Sequence, residues 1–140
     1  AVTLTNSTVS GNTASVGRGF LNGNDGTLLL SNTLMDNDCT EHAPLSGVWS
    51  IGHNIESPGD TCGFDQPTDQ VNVSADDLKL GELADNGGPT ETHALGEGSV
   101  PIDVIPAVDC VDADGEPLAT DQRGEPRDSM CDVGAFEVQP

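Results

Sequence analysis

The feature that most constrains this 140-residue chain is an internal repeat near its N-terminus. The phrase LTNSTVSGN, which starts at Leu4, can be laid on LLSNTLMDN, which starts at Leu29, with a constant offset of 25 residues. In both phrases apolar residues alternate with Thr, Ser or Asn, the period of a strand with one inward and one outward face. A repeat of this length is typical of one β-solenoid coil, which contacts only its neighbouring coils.

The pattern extends beyond these two copies. A weaker third copy, SIGHNIES, covers residues 50–57, and a glycine-rich corner at residues 17–23 separates the first two. Asn12 and Asn37 are equivalent, so we expect these two side chains to stack and to satisfy backbone groups of the next coil. The repeat predicts β-solenoid coils over residues 1–77 and a distinct capping segment over residues 78–140 of the same domain.

Composition agrees with an all-β chain. Aromatic residues make up only 3% of the sequence, so the core must be thin and aliphatic. The 17 Gly and 9 Pro residues, with abundant Thr, Val, Ser, Asn and Asp, favour short strands and turns over helices.

Four cysteines, Cys39, Cys62, Cys110 and Cys131, are even in number and include no C-x-x-C pair. Zinc and c-type haem motifs are therefore absent. Three pairings are open, and we predict the two local bridges, Cys39 to Cys62 and Cys110 to Cys131. Disulfides indicate an oxidising compartment, so we expect a secreted, extracellular or cell-surface location. Free thiols are the alternative.

The net charge of −20 is the most extreme property of the chain. It disfavours nucleic acid and anionic membranes as partners, and no apolar run is long enough to span a bilayer. The charge either serves solubility in salt water or binds calcium. The candidate calcium ligands crowd around Gly115, and the alternative is a solvated acidic loop. These candidates are Asp109, Asp112, Asp114 and Glu116. Their spacing is not that of an EF-hand, because the twelfth position from Asp112 is Arg123.

Four turn-rich phrases follow one another in the C-terminal half: LADNGGPTETHAL from residue 83, GSVPID from 98, TDQRGEPR from 120 and CDVGAFE from 131. In this order, and over nearly the whole chain, they resemble the bacterial choice-of-anchor Q domain. The resemblance implies the end of a right-handed parallel β-helix, export and cell-surface display. Two departures are the order Val100-Pro101, where the family has Pro-Ala, and the absence of an anchoring tail after Pro140, which leaves the mode of attachment open.

The same phrases indicate how the cap is held. Arg123, between Asp121 and Gly124, is placed to join loops through bidentate hydrogen bonds to a carboxylate or to backbone carbonyls. The Cys110–Cys131 bridge would pin the last strand, with Phe136 as an apolar plug. At the other end, the N-terminal coil has no cap, so we expect it to contact preceding coils or another copy of the chain.

Two functions from different classes remain. The first is a structural or adhesive surface module, or adhesin, that assembles end to end into a filament or terminates a longer β-helix, with surface glycans as further partners. The second is a carbohydrate-active enzyme, a polysaccharide lyase or glycosidase, or its glycan-binding region. No catalytic motif is present, and we interpret His42, His53 and His93 as loop residues. We expect Trp49 to pack near Cys39 and Cys62, and the alternative is a glycan-binding platform. We therefore predict a non-enzymatic protein whose one candidate cofactor is calcium.

Overall fold

The computed structural model of the chain describes residues 1–15, 19–20, 26–39 and 47–140. His42 and most of the glycine-rich corner lie outside these ranges. The described strands are β1 (Val2–Thr5), β2 (Thr8–Ser10), β3 (Leu28–Ser31), β4 (Leu34–Asp36), β5 (Val48–Gly52), β6 (Ile55–Glu56), β7 (Leu80–Ala84), β8 (Thr92–Leu95), β9 (Ile105–Pro106) and β10 (Met130–Cys131). One helical turn, α1 (Ala75–Leu78), is capped by the Ser74 side chain, which accepts from Asp77 N.

The first six strands form two parallel sheets. One sheet has the order β1-β3-β5 and the other β2-β4-β6. Between the paired strands the chain turns sharply, and the residues there have positive φ angles: Asn6 (49°), Asn32 (53°) and His53 (54°). Asn is one of the few residues other than Gly that tolerates this conformation, which explains why the bends recur at the Asn-Ser and Asn-Thr dipeptides.

The strand register corrects the predicted repeat by one residue. Leu4 lies beside Leu30, and Thr8 lies beside Leu34. The paired residues of neighbouring strands are therefore one residue further apart in sequence than the predicted offset of 25. Leu30 is fully buried, as expected for the inward face of β3. The alternation predicted for these strands is therefore present, but with a different pairing.

Two cores lie on opposite faces of the β2-β4-β6 sheet. The first fills the space between the two parallel sheets and contains Leu28, Leu30, Met35, Cys39, Cys62 and Phe64. The second packs the other face against the C-terminal half and contains Leu34, Ile55, Val73, Leu78, Ile105, Cys110, Cys131 and Val133. Leu34 and Met35 are consecutive and both fully buried, since they point to opposite faces of this central sheet.

The C-terminal half contains only antiparallel pairing. Strands β7 and β8 form one two-stranded sheet, and β9 and β10 form another. Further isolated bridges join Val111 to Pro117 and Thr120 to Pro126, so much of this half is turns. It covers the second core rather than extending either parallel sheet.

The prediction of a right-handed parallel β-helix, or β-solenoid, is wrong. Over the described residues the structure is a small all-β domain of four sheets with two or three strands each, and two of these sheets are antiparallel. The physical reason is that the repeated phrase ends near residue 57. After it, the chain supplies disulfide-bonded loops and hairpin-like turns, which cannot propagate a parallel stack.

Candidate functional site

The most elaborate polar site in the described structure is a buried ionic cluster near the C-terminus, which we call the clasp. Its members are Asp121, Arg123, Arg127, Asp132 and Glu137. The Arg123 guanidinium contacts Asp121 Oδ2 through Nε at 2.9 Å and through Nη2 at 2.8 Å. It also donates to the carbonyl oxygens of Glu137 at 2.6 Å and Asn86 at 3.3 Å. One side chain thus holds three separate segments.

The residues predicted to form a structural cap lie together here. The Arg123 guanidinium lies over the Phe136 ring, 3.7 Å from its centroid, which adds a cation–π contact. Gly124 has a φ of 87° in the tight turn that follows Arg123. The Asp121 side chain is fully buried, while 9% of the Arg123 side chain is exposed.

Arg127 is a second clasp arginine to which the sequence reasoning assigned no role. Its Nη1 donates to Glu137 Oε2 at 2.9 Å, and both side chains are only 1% exposed. It also donates to the carbonyl oxygens of Asp132 and Gly134, at 2.9 and 2.6 Å. Arg127 stands in the same phrase as Arg123, TDQRGEPR, four residues later, so the phrase could have indicated a second structural arginine. Its partners lie outside the phrase and could not be read from it.

The clasp carboxyls have shifted pKa values. Burial raises the pKa of Asp132, although backbone hydrogen bonds from Val138 and Asp103 oppose the shift. Burial also raises the pKa of Glu137, against hydrogen bonds from the Asp132 and Asp128 backbone. For Asp121, burial alone would raise the pKa, but hydrogen bonds from the Glu137 backbone and from Arg123 outweigh it, so the pKa is lowered.

The clasp fastens the last residues of the chain to the central sheet. Gly134 N donates to Asn32 O at 3.0 Å, and Ala135 N donates to Thr8 Oγ1 at 3.1 Å. Gly134 has a φ of 103°, and a Cβ placed there would lie 2.6 Å from Thr8 Oγ1. Only glycine fits this close approach, so the C-terminal segment is held directly on strands formed near the N-terminus.

The two disulfides follow the predicted local pairing. Cys39 bonds to Cys62 in the first core, and Cys110 bonds to Cys131 in the second. Each core therefore contains one covalent crosslink. Two disulfides are compatible with an extracellular location. No described helix has the length and apolar character needed to cross a membrane.

Asn12 and Asn37 do contact each other. Asn12 Nδ2 donates to Asn37 Oδ1 at 3.2 Å, and Asn37 Nδ2 donates to Asn12 O at 2.9 Å, in an exposed position. Asn6 and Asn32, for which the sequence predicted no role, bind backbone groups at the bends. They donate to Val111 O at 2.7 Å and to Asp109 O at 2.8 Å, and so anchor the acidic loop.

The candidate calcium ligands are not gathered around one point. Asp112 Oδ1 accepts from the backbone N–H of Asp114 and Glu116, at 2.9 and 3.0 Å, which is the bonding of an ordinary Asx turn. Asp109 instead approaches His53. Among the described residues, no group of three or more His, Cys, Asp or Glu side chains is arranged to hold a metal ion.

The arrangement closest to an enzyme site is the pair of His53 and Asp109. His53 Nε2 lies 3.3 Å from Asp109 Oδ2, beside an open cavity of about 410 Å³. Ile51 and Val108, which are 64% and 83% exposed, also line this cavity. His93 lies elsewhere, with Nδ1 2.7 Å from Gly81 O, so its imidazole holds its own hairpin.

Trp49 occupies a different environment from the one predicted. It points outward from β5 and is 62% exposed, rather than packing near Cys39 and Cys62. In the strand register it lies beside Leu29 of β3, so the two side chains form an apolar pair on the outer face of the β1-β3-β5 sheet.

Comparison with known proteins finds no matching family model, curated protein or solved structure.

Proposed function

We propose that this chain is a structural or adhesive module of a secreted surface protein and has no catalytic role. The observation that carries the proposal is the clasp. Two of the four basic side chains in the sequence, Arg123 and Arg127, are almost completely buried in it. They hold the C-terminal segment in place and are thereby withheld from substrate. Both cores are also crosslinked by disulfides.

The resemblance to the choice-of-anchor Q domain supports the same proposal, because that family is exported and displayed at the cell surface. The ordered phrases that carry the resemblance supply the parts of the clasp. TDQRGEPR contributes Asp121, Arg123 and Arg127, and CDVGAFE contributes Asp132 and Glu137. In this proposal the phrases have a mechanical role, which is to lock the end of the module.

Trp49 favours adhesion to glycans as the second element of the proposal. An exposed indole on a flat sheet offers an apolar face to the C–H face of a sugar ring, and Ile51, 64% exposed, extends the surface. The high negative charge favours neutral sugars over uronates. Trp49 is the only Trp in the chain, so its fluorescence reports directly on this surface.

The test is to incubate the purified, disulfide-bonded chain with neutral and acidic polysaccharides. We expect no new reducing ends and no unsaturated products. We also expect the Trp49 emission to change on titration with a neutral oligosaccharide. In a separate binding assay that does not depend on Trp fluorescence, Trp49→Leu should abolish binding of the same oligosaccharide. Polysaccharide cleavage that is lost in His53→Ala but kept in Lys79→Gln would overturn the non-enzymatic proposal. An unchanged emission with every sugar would remove the glycan element alone.

A further inference from the structure

The edge of the two parallel sheets formed by β1 and β2 is incompletely buried. Val2 and Leu4 of β1 lie in the same inward rows as Leu28 and Leu30 of β3. Leu28 and Leu30 are 7% and 0% exposed, whereas Val2 is 60% exposed. The inward face of β1 has the apolar residues of a core strand. However, β3 is flanked by β1 and β5, whereas β1 has a neighbouring strand on one side only.

The backbone of β1 is also available on one side. Val2 N donates to Thr27 O at 2.8 Å and Asn6 N donates to Ser31 O at 3.2 Å, so these peptide groups face β3. Because alternate residues of a strand direct their N–H and C=O groups to opposite sides, those of Thr3 and Thr5 face away from β3. No strand in the described parts of the chain pairs with this side.

The strands at this edge also carry no charged side chain of their own. All 24 acidic residues follow residue 24, so β1 and β2 lie in a stretch without a single carboxylate side chain, although the chain carries a net charge of −20. Neither strand contains Lys or Pro, the residues that commonly protect an edge. The acidic side chains beside the edge come from other segments: Asp36 Oδ2 accepts from Ser10 Oγ at 2.7 Å, and Asp112 and Asp121 line the cavity next to Thr5 and Thr8.

The opposite end of the parallel sheets is closed. Gln70 forms a parallel bridge with Ile55 of β6, and its N–H donates to Asn54 O at 2.9 Å. Asp69 Oδ2 accepts from Ser50 of β5, and Thr68 Oγ1 accepts from His53 N. Residues 68–73 therefore occupy the positions that an added coil would need, and a second copy cannot continue the stack there.

We propose that the β1/β2 edge binds the same edge of a second copy of this chain. A two-fold axis reverses the strand direction, so the outward N–H and C=O groups of one edge meet their complements on the other in antiparallel pairing. The contact buries Val2 and Leu4 from both copies and pairs strands that carry no charged side chain of their own. Because each copy uses its one open end, association stops at two and does not form the filament predicted from the sequence.

Sedimentation equilibrium over a range of concentrations tests the proposal on the intact, oxidised chain. We expect the mass to rise from 14.4 kDa toward twice that value and to level off there. Val2→Glu should weaken association by at least about tenfold, because it places two carboxylates at the two-fold contact. Val108→Glu, the matched control on an 83% exposed residue away from the edge, should leave association unchanged. Added salt should strengthen the dimer, since it screens the repulsion between the two acidic copies.

A chain that stays monomeric at all concentrations and salt levels would overturn the proposal. Equal weakening by both substitutions, or a mass that grows beyond two copies, would do the same. Circular dichroism of Val2→Glu checks that the monomer remains folded. This inference concerns the partner of the proposed surface module, yet the two can fail separately: a monomer would leave the non-enzymatic proposal intact, and polysaccharide cleavage would leave the dimer intact.

Discussion

Removal of the Arg123 guanidinium should cost this protein a large share of its stability. We consider Arg123→Gln, which keeps a polar side chain but removes the contacts to Asp121 Oδ2 at 2.9 and 2.8 Å and the cation–π contact with Phe136 at 3.7 Å. Asp121 stays fully buried, and it keeps the backbone N–H of Arg123, Glu125 and Glu137 as donors. The carboxylate therefore loses its charge partner but not all of its hydrogen bonds.

The magnitude follows from that partial compensation. Breaking a buried ion pair on one side usually costs about 3–5 kcal/mol, and the three remaining donors place Asp121 at the lower end, near ~3 kcal/mol. For a chain of this length the unfolding entropy is about 0.3 kcal/mol per kelvin, so the unfolding midpoint should fall by ~10 °C. Lys79→Gln is the matched control, because it removes one positive charge from a side chain whose only described hydrogen bond is an exposed one to Glu97 O. It should cost less than about 1 kcal/mol.

Thermal and urea unfolding, followed by far-ultraviolet circular dichroism with the disulfides intact, would measure both variants. A difference below about 1 kcal/mol between Arg123→Gln and Lys79→Gln would refute the reasoning that the clasp is a main source of stability. A double-mutant cycle with Asp121→Asn isolates the pair itself, and we expect a coupling free energy of roughly 1.5–3 kcal/mol.

Three further predictions concern the crosslink, the closest backbone approach and the clasp carboxyls. Replacing Cys110 and Cys131 with Ala, which opens a loop with a sequence separation of 21, should lower the unfolding free energy by about 3 kcal/mol in urea titrations. Gly134→Ala should cost ~2–3 kcal/mol by thermal unfolding, whereas Gly115→Ala, with a positive φ but open space around it, should cost about 1 kcal/mol. Because burial raises the pKa of two clasp carboxyls, the folded state binds more protons than the unfolded state above their ordinary values of 3.8 and 4.5. The unfolding midpoint temperature should therefore rise as the pH falls from neutrality toward that window. Below pH 3.8 the midpoint temperature should fall again, because the lowered pKa of Asp121 makes its protonation destabilising. A midpoint temperature that falls steadily from pH 7 would contradict this reasoning.

The local part of this fold could be predicted from the sequence. Alternation of apolar and polar residues correctly indicated the inward positions of β3, where Leu28 and Leu30 are buried. The offset was wrong by one residue because the comparison matched Asn12 with Asn37, which do touch, rather than the bend residues Asn6 and Asn32. Both relations hold in the structure, and the asparagine with positive φ is the one that marks the strand register.

The longer-range organisation could not be predicted in the same way. Arg123 and Asp121 are two residues apart, so their pairing was visible in one phrase. Arg127 and Glu137 are ten apart, and the segment between them includes Gly134, whose close approach to Thr8 spans most of the chain. The β-helix prediction failed for a related reason: a periodic pattern indicates how strands pair, but not how many coils follow before other contacts take over.

The distribution of charge connects the clasp with the proposed dimer edge. The sequence has only four basic residues, and the burial of Arg123 and Arg127 within the clasp leaves the carboxylates on the surface largely uncompensated. Such a surface keeps copies of the chain apart over most approach directions. Strands β1 and β2 contain no carboxylate of their own, so pairing them between two copies places no like charges directly opposite each other, and their open backbone supplies the hydrogen bonds.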